Sequence, residues 1–481
     1  MTIDDRHPGG TPGVGGSGSL GTGPRGSRAG RSSAHELTRY AGLFAARTRE
    51  MTSSAMRDLM AITQRPEVIS LAGGNPDTTT FPPSSFAALM TSLAASSTAR
   101  VLQYGPTEGM AEVTECIREV MAAEQTQVDP QDILVTTGGQ QVLDLMCKTF
   151  IDPGDVIIAE APTYPGAIPS FSAYQADVIQ IGIDEDGMLI DELEATLDRL
   201  ELEGRRPKFI YTVPTFQNPG GVTMSLARRR RLVEVAHERE LLVLEDNPYA
   251  LLRYEGDPLP TLLSLDGGEF VVYLGTFSKI LSAGIRLGWA VAPRPVRDKM
   301  NTGKQGVDLC TSSLSQLFVA TYFAERRWQD YVDELRELYR VRRDAMLEAL
   351  EQHFPAEATW TRPQGGMFVW ATLPDYIDTT DLLARALEER NVAFVPGRAA
   401  YVDGRGGSSM RLNFSGSSED DIREGVRRIG EVVAEQVALY GTLTGQRPAE
   451  TPAQRAPGVA DEDLADVLHL PRRERRRREA Q

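Results

Sequence analysis

The chain has 481 residues, of which 41% are hydrophobic and 25% are charged, a composition typical of soluble globular proteins and not of disordered or fibrous ones. Its 51 Lys and Arg against 67 Asp and Glu leave a formal net charge of −16, which disfavours nucleic-acid binding because an acidic surface repels phosphate. No uncharged apolar run approaches the roughly 20 residues of a membrane-spanning helix, so we expect a cytoplasmic protein without membrane contact.

The two ends of the chain differ in composition from its centre. Residues 1–34 are rich in Gly, Ser, Pro and Arg, and residues 446–481 end in an arginine-rich run. Neither end carries enough apolar side chains to offset the entropy of ordering, so both are predicted to be disordered tails. The first 30 residues also lack the apolar stretch of a signal peptide. The arginine run is typical of a solvated tail, and the alternative is a contact for acidic partners or RNA.

Apolar, β-rich runs alternate with helical patterns through the first part of the centre. They lie at 133–137, 155–160, 208–214, 241–246 and 270–276. This alternation predicts parallel strands joined by crossover helices. Because the runs are continuously apolar, the sheet is expected to be covered on both faces.

The pattern changes after about Pro293. Long helices are predicted within 312–352, then short strands at 366–373, 392–396 and 409–414, and a helix from Ser418 onward. This order indicates a second, smaller α+β unit, completed by the segment near 35–75. The predicted organisation is a tail 1–34, an N-terminal helical segment 35–75 joining the small domain, a large cofactor-binding domain 76–310, an interdomain helix with the C-terminal small domain 311–445, and a tail 446–481.

The groups available for chemistry are limited by composition. Three cysteines and five histidines are too few and too widely spaced to predict a zinc cage, a disulfide framework or a Ser-His-Asp triad. No metal is therefore expected. A lysine, Lys279, directly follows the strand at 270–276, and ligands of α/β proteins bind beyond the carboxyl ends of such strands. Alone, such a lysine is more often a surface residue. Whether it has a role in catalysis therefore depends on the other residues that the sheet brings near it.

Those companions follow other strands of the same predicted sheet. Asp246 ends the strand at 241–246, Tyr249 follows it closely, and Asn218 stands in the loop after 208–214. A Gly-Gly turn in TTGGQQ leads from a strand into a helix, where backbone N–H groups favour a phosphate. An amine, a carboxylate, hydrogen-bond donors and a phosphate cup are together what pyridoxal phosphate (PLP) requires.

With these residues in place, the chain resembles the fold-type I PLP-dependent aminotransferases, and most closely the 2-aminoadipate aminotransferase group, over about residues 50–440. The matching stretches are ITQRPEVISLAGGNPD, QYGPTEG, TTGGQQVLDL, EAPTYPGAI, PTFQNPGG, EDNPY, LGTFSK, RPQGGMFVW, VAFVPG and RLNF. The resemblance implies an α/β fold with a mostly parallel, seven-stranded sheet between helices, a smaller α+β domain, and a homodimer with active sites at the interface.

The resemblance also implies the contacts of the cofactor ring. Lys279 would bind the cofactor as a Schiff base and then carry the proton between substrate and cofactor. Asp246 would pair with the ring nitrogen, and Asn218 and Tyr249 would hydrogen-bond the ring oxygen. Tyr164 would stack on the ring face.

For the cofactor phosphate, the resemblance implies a cup that includes one residue of the neighbouring subunit. The residues are Gly139, Gln140, Thr276, Ser278 and Arg286, with Tyr104 from the second copy. Two of them depart from the family pattern, because Gly139 stands where relatives commonly carry serine and Thr276 replaces a frequent serine. At least one hydroxyl contact is thereby lost, and cofactor affinity is expected to be modestly lower.

For the substrate, the resemblance implies that Arg411 clamps the α-carboxylate through its planar fork, close to Asn218. Gly74 would let the chain approach the substrate closely. Arg57 would lie on a mobile N-terminal helix and meet the distal carboxylate of 2-aminoadipate or glutamate; the alternative is a surface arginine on an amphipathic helix. Because such a helix can swing the charge away, broad specificity is expected.

The predicted activity is the transfer of an amino group from 2-aminoadipate or an aromatic or branched-chain amino acid to 2-oxoglutarate, by a ping-pong cycle. A PLP-dependent β-lyase would use the same central residues. From another class, aminotransferase-like transcriptional regulators share the fold but carry an N-terminal winged helix. Residues 1–34 are low in complexity and leave no room for that module, so no nucleic-acid partner is expected.

Overall fold

The computed structural model describes Tyr40, residues 42–49, Met51 and residues 65–445. Both predicted tails, 1–34 and 446–481, and the predicted substrate contact Arg57 lie outside the described residues. The described residues divide into two units, one that ends at Thr48 and one that begins at Arg49, and the fold and site below belong to the second.

Strands alternate with helices through the centre of the chain, as the hydrophobic pattern predicted. The described strands are Ile69–Ser70 (β1), Ile133–Thr136 (β2), Val156–Ala161 (β3), Asp177–Asp184 (β4), Gly187–Met188 (β5), Phe209–Thr212 (β6), Leu242–Asp246 (β7), Val271–Thr276 (β8), Gly288–Val291 (β9), Thr359–Trp360 (β10), Phe368–Thr372 (β11), Val392–Ala393 (β12), Val395–Pro396 (β13) and Ser409–Asn413 (β14). The described α-helices are Pro83–Val101 (α1), Ala111–Ala123 (α2), Gly139–Phe150 (α3), Ile168–Ala173 (α4), Ile190–Leu202 (α5), Leu226–Arg239 (α6), Leu262–Asp266 (α7), Arg294–Gln305 (α8), Ser313–Glu325 (α9), Trp328–His353 (α10), Thr379–Arg390 (α11) and Glu419–Thr444 (α12).

A mostly parallel sheet forms the centre of the fold. Its eight described strands have the order β2-β9-β8-β7-β6-β3-β4-β5, one more than the seven predicted, because the two-residue β5 turns back to pair antiparallel with β4. The neighbouring strands β8, β7, β6, β3 and β4 run parallel to one another, whereas β9 is antiparallel to both β8 and β2. Every residue of β2, β3, β6, β8 and β9 is buried, so helices cover both faces of this part of the sheet, as predicted.

The helical stretch predicted within 312–352 is two helices, α9 and α10. Arg326 ends α9 in an extended conformation, with φ −136° and ψ 151°, which breaks the run of helical hydrogen bonds. Trp328 then starts α10 and stacks on Phe323, with ring centroids 5.5 Å apart. Apolar packing across the break therefore holds the two helices together. None of the helices that the structure describes is both long enough and apolar enough to cross a bilayer.

A second, antiparallel sheet has the strand order β10-β11-β14-β13, and β1 pairs in parallel with β12. Ile69 is the partner of Val392, so a segment near the start of the described chain joins the strands near its end. The last helix, α12, begins after Ser418, whose hydroxyl accepts a hydrogen bond from the Asp421 N–H. The acidic side chains of its first turn favour this helix terminus. The division into domains at 75, 310 and 445 remains a prediction.

Candidate active site

The carboxyl ends of β6, β7 and β8 lie side by side, since these are neighbouring parallel strands. Asp246 is the last residue of β7, Asn218 lies in the loop after β6, and Lys279 lies just after β8. All three line a cavity of about 310 Å³. The sheet topology therefore brings together residues that are far apart in sequence.

The other residues predicted for this copy of the chain, apart from Arg57, which lies outside the described residues, line the same cavity. They are Gly74, Gly139, Gln140, Tyr164, Tyr249, Thr276, Ser278, Arg286 and Arg411. Apolar parts of the wall come from Leu143, Val213, Leu274 and Phe368. Tyr104, which was predicted to act in the neighbouring subunit, lines a different depression and its side chain is 78% exposed.

The amine of Lys279 is partly buried and held by the backbone. Its Nζ donates a hydrogen bond to the carbonyl oxygen of Gly74 over 2.6 Å. Burial lowers the pKa of this amine to about 8, and the positive charges of Arg411 and Arg286 act in the same direction. A substantial share of the amine is therefore uncharged near pH 8, as a nucleophilic lysine requires.

The carboxylate of Asp246 is buried beneath the cavity and accepts a hydrogen bond at Oδ2 from the hydroxyl of Tyr211 over 2.7 Å. Burial raises the pKa of Asp246 to about 6, while the Tyr211 hydrogen bond and the charge of Lys279 oppose that rise. Above pH 6 the carboxylate is thus mostly ionised. Sequence reasoning missed Tyr211. A tyrosine in a continuously apolar strand signals that its hydroxyl needs a partner, but not which partner.

Arg411, Asn218 and Tyr249 form a connected polar group at the side of the cavity. The Asn218 Nδ2 donates to the Tyr249 hydroxyl over 3.2 Å, and its Oδ1 accepts from Nη1 of Arg411 over 3.0 Å. The Arg411 Nη2 donates to the carbonyl of Ala72 over 2.8 Å. The guanidinium carbon also lies 4.4 Å from the centre of the Phe368 ring. These contacts fix the plane of a buried cation.

The N-terminus of α3 and the residues Thr276, Ser278 and Arg286, at or after the end of β8, form one concave part of the cavity, called the cradle below. Gly138 precedes α3 with φ +78°, and a Cβ there would lie 2.5 Å from Nη2 of Arg286. Only glycine therefore lets the arginine lie against this turn. The hydroxyls of Thr276 and Ser278 are hydrogen-bonded to each other over 2.8 Å. A helix N-terminus, a cation and two hydroxyls suit a phosphate group, so these residues fit that part of the cofactor.

For two predicted phosphate contacts, Gly139 and Gln140, the neighbouring side chains limit which of their groups can reach the phosphate. A Cβ at Gly139 would lie 2.8 Å from Cδ2 of Leu274, so Leu274 fills the space that a serine at this position would need. The Gln140 side chain donates to the carbonyl of Gly166 over 3.0 Å and to the Ser170 hydroxyl over 2.7 Å. The amide of Gln140 is thus held away from the cradle, and its backbone N–H is the group at the helix start.

A buried acid that sequence reasoning missed connects two loops of the site. Glu160, on β3, accepts hydrogen bonds from the Thr212 hydroxyl over 2.5 Å and from Nε2 of Gln217 over 2.9 Å. The same Gln217 nitrogen donates to the carbonyl of Pro162 over 2.7 Å. These bonds join the loop that carries Asn218 to the loop that carries the predicted stacking tyrosine. Glu160 is therefore a structural link beneath the cavity.

Comparisons with known proteins find relatives that match most of the chain. The sequence profile described as aminotransferase class I and II matches residues 66–429. Aromatic-amino-acid aminotransferase 1 of Thermococcus litoralis is 42% identical over 83% of this chain and 95% of its own length. The 2-aminoadipate transaminase of Thermus thermophilus is 40% identical over 80% of this chain and 95% of its own. A crystal structure of Pyrococcus horikoshii kynurenine aminotransferase with PMP, 41% identical, superimposes with a TM-score of 0.79 over 84% of this chain and 99% of that one.

Proposed function

Because this chain belongs to the class I and II aminotransferases, we propose that it transfers the amino group of 2-aminoadipate or an aromatic or branched-chain amino acid to 2-oxoglutarate. The chain is a transaminase of fold type I, and its cofactor is PLP. The observation that carries the proposal is the cavity that joins Lys279, Asp246 and Arg411.

Bound PLP supplies an acceptor for the electron pair released at the substrate Cα. In the proposal, Lys279 would hold the cofactor at its aldehyde, and its uncharged Nζ would be the base that accepts the proton from the substrate Cα. The pKa of about 8 for this amine suits a group that is alternately nucleophile and base. Asp246 would balance the positive charge on the ring nitrogen, and Asn218 and Tyr249 would bind the ring oxygen.

The proposal assigns the substrate α-carboxylate to Arg411. Burial lowers the pKa of Arg411 to about 10, so the guanidinium remains charged at neutral pH. Its Nη2 donates to the carbonyls of Ala72 and Gly73, and a carboxylate would be a stronger acceptor than either. Gly74 lies next to this position, and a Cβ there would lie 3.5 Å from the Phe368 ring.

The donor range is proposed from the named activities of the relatives and from the apolar wall that includes Leu143 and Phe368. The role of Arg57 with a distal carboxylate remains a prediction. We also propose a ping-pong cycle and a homodimer in which Tyr104 reaches the partner's phosphate site. The 78% exposure of the Tyr104 side chain leaves it available for such a contact.

The proposed function is tested with L-2-aminoadipate, L-phenylalanine and L-leucine as donors and 2-oxoglutarate as acceptor. Glutamate should form in equal amount to the new 2-oxo acid, and double-reciprocal plots should be parallel. Lys279→Ala should lower kcat by about 10³-fold or more, and borohydride reduction of the wild type should place the phosphopyridoxyl group on Lys279. Arg57→Ala should impair 2-aminoadipate more than phenylalanine or leucine.

The matched control is Lys299→Ala, which removes an exposed lysine of α8 and should leave turnover unchanged. Pyruvate release from an S-alkylcysteine without glutamate formation would indicate a β-lyase and contradict the proposal. Equal losses for all donors in Arg57→Ala would remove the assignment of that arginine to the distal carboxylate.

A further inference from the structure

The register of the central sheet places Tyr211 against Asp246. Tyr211 on β6 pairs with Leu244 on β7, and Asp246 lies two residues further along β7. Since side chains alternate along a strand, Leu244 and Asp246 point to the same face of the sheet. The hydroxyl of Tyr211 reaches Oδ2 of Asp246 over 2.7 Å, and the two side chains are buried.

Tyr211 has little freedom to move away from this contact. Its ring meets the ring of Phe171 edge-on, with centroids 5.5 Å apart and planes at 72°. The residue is itself fully buried within a central strand, with β3 on one side and β7 on the other. Packing therefore holds the hydroxyl where the carboxylate lies.

We propose that Tyr211 is a positioning residue that holds one oxygen of Asp246 and keeps this carboxylate ionised for the ring nitrogen of the cofactor. The inference rests on the proposed role of Asp246. With Oδ2 engaged by the tyrosine, Oδ1 is the oxygen left for the nitrogen. A hydrogen bond from a neutral donor to a carboxylate stabilises the charged form over the protonated one.

Other ionisable groups surround Asp246 and could also affect its protonation. They are Lys279 after β8, Tyr249 after β7, and Tyr164 and Glu160 from the end of β3. Burial raises the pKa of Asp246, while the Tyr211 hydroxyl and the Lys279 charge lower it. Removing the hydroxyl therefore raises this pKa, and a larger share of Asp246 is protonated at a given pH.

The experiment compares Tyr211→Phe with Tyr273→Phe. Tyr273 is the matched control because it is equally buried on β8 and donates to a buried carboxyl group, that of Glu124, over 2.6 Å, while it does not line the cavity. Both holoenzymes are measured for the pH profile of kcat/KM, the dissociation constant of PLP, and the ¹⁵N chemical shift of the ring nitrogen in labelled cofactor.

Tyr211→Phe should move the acid limb of the pH profile upward by about one to two units and weaken PLP binding about tenfold, with a ring nitrogen less protonated at neutral pH. Tyr273→Phe should leave all three readouts at wild-type values, even where it lowers stability. A site-specific 3-fluorotyrosine at 211, a stronger donor that keeps the ring, should move the acid limb downward and provides the test if Tyr211→Phe does not fold.

The inference would be overturned if the pH profile, PLP affinity and ¹⁵N shift were unchanged in Tyr211→Phe. It would also be overturned if Tyr273→Phe changed these three quantities in the way expected for Tyr211→Phe. An acid limb that fluorotyrosine does not lower would also contradict it. These failures are distinguishable from failure of the proposed function, which would appear as wild-type holoenzyme that forms no glutamate from 2-oxoglutarate with any of the three donors, whereas PLP affinity and the ¹⁵N shift can still be measured.

Discussion

At the residue scale, Arg411 is a buried cation whose orientation is set by the groups around it. Its side chain is 2% exposed, its Nη1 is held by Asn218, and its plane lies over the Phe368 ring. A guanidinium is more weakly hydrated than an ammonium and binds a carboxylate through two parallel N–H groups. Both properties favour arginine over lysine at this position.

Arg411→Lys should therefore impair substrate binding while leaving the cofactor bound. The change removes the fork and the stacking on Phe368, so kcat/KM for amino donors should fall about 100-fold, equivalent to the loss of a charge-assisted hydrogen bond pair. Steady-state kinetics and PLP titration measure the two effects.

The control is Arg343→Lys, another buried arginine, which pairs with Glu255 and Asp344 away from the cavity. It should change stability without changing kcat/KM. Comparable kinetic losses in the two variants would contradict the role proposed for Arg411.

At the scale of elements, α3 and α8 are joined beneath the predicted phosphate cradle. Lys304, near the end of α8, is fully buried and its Nζ lies 2.6 Å from Oδ1 of Asp308. Oδ2 of Asp308 accepts hydrogen bonds from the Thr137 hydroxyl and from Nε2 of Gln141, each over 2.8 Å. One carboxylate thus ties the turn before α3 to the end of α8.

Asp308→Ala should have two effects, a lower free energy of unfolding and weaker binding of PLP. It leaves the Lys304 ammonium buried without its partner, so the free energy of unfolding should fall by about 3 kcal/mol. Because Thr137 in the turn before α3 and Gln141 in the first turn of α3 each lose a hydrogen bond, PLP should bind several-fold more weakly. Urea unfolding and PLP titration measure the two effects.

Asp298→Ala serves as the control on the same helix, since Asp298 is exposed and pairs only with Arg297 among the described residues. It should change neither quantity appreciably. Unaltered PLP affinity in Asp308→Ala, with the expected loss of stability, would mean that the bridge supports the fold but not the cradle.

At the scale of the whole molecule, several carboxyl groups are buried around the central sheet. Burial raises the pKa of Glu124 to about 8 and the pKa values of Glu160 and Glu245 to about 7. In the unfolded chain a glutamate titrates near pH 4.3. The native state therefore retains protons that the unfolded state has lost, and the stability from these groups is lost as pH rises through 7 to 8.

The free energy of unfolding should accordingly decline between pH 6 and pH 9, and Glu124→Gln should remove part of that decline. The glutamine keeps an acceptor for the Tyr273 hydroxyl and the Asn247 amide, which both contact Oε2 of Glu124, but it cannot ionise. The decline should be smaller in the variant by about 2 kcal/mol. Urea unfolding across this pH range provides the measurement.

Glu357→Gln, which changes an exposed carboxyl group, should follow the wild-type curve. A decline as steep in Glu124→Gln as in the wild type would show that Glu124 is already ionised near neutral pH in the native state.

Much of the central sheet was predictable, because its strands are continuously apolar and its helices have their own periodicity. The predicted strand at 241–246 became β7 and that at 270–276 became β8 with changes of one residue. The strands β4 and β9 were not predicted. Half-buried positions interrupt β4, and β9 is only the four residues Gly288–Val291, so neither carries a strong local pattern.

Within the candidate site too, some residues were predictable from local sequence and others were not. Lys279, Asp246 and Asn218 each lie at or after the end of an apolar strand, so local sequence indicated their positions, and the family resemblance then implied their roles. The hydrogen bond from Tyr211 to Asp246 depends on the register between two strands. A strand's apolar composition does not encode the register with its neighbour when both faces are buried.

By itself the sequence determined the fold class and the family and predicted the loops of the candidate site, because these follow from the apolar pattern and from short motifs. Only the tertiary structure decided that β9 lies antiparallel between β2 and β8, that Ile69 pairs with Val392, and which buried groups support the site. The physical reason is that such contacts join residues far apart along the chain, and their geometry is set by packing and hydrogen bonding across elements and not by local preference.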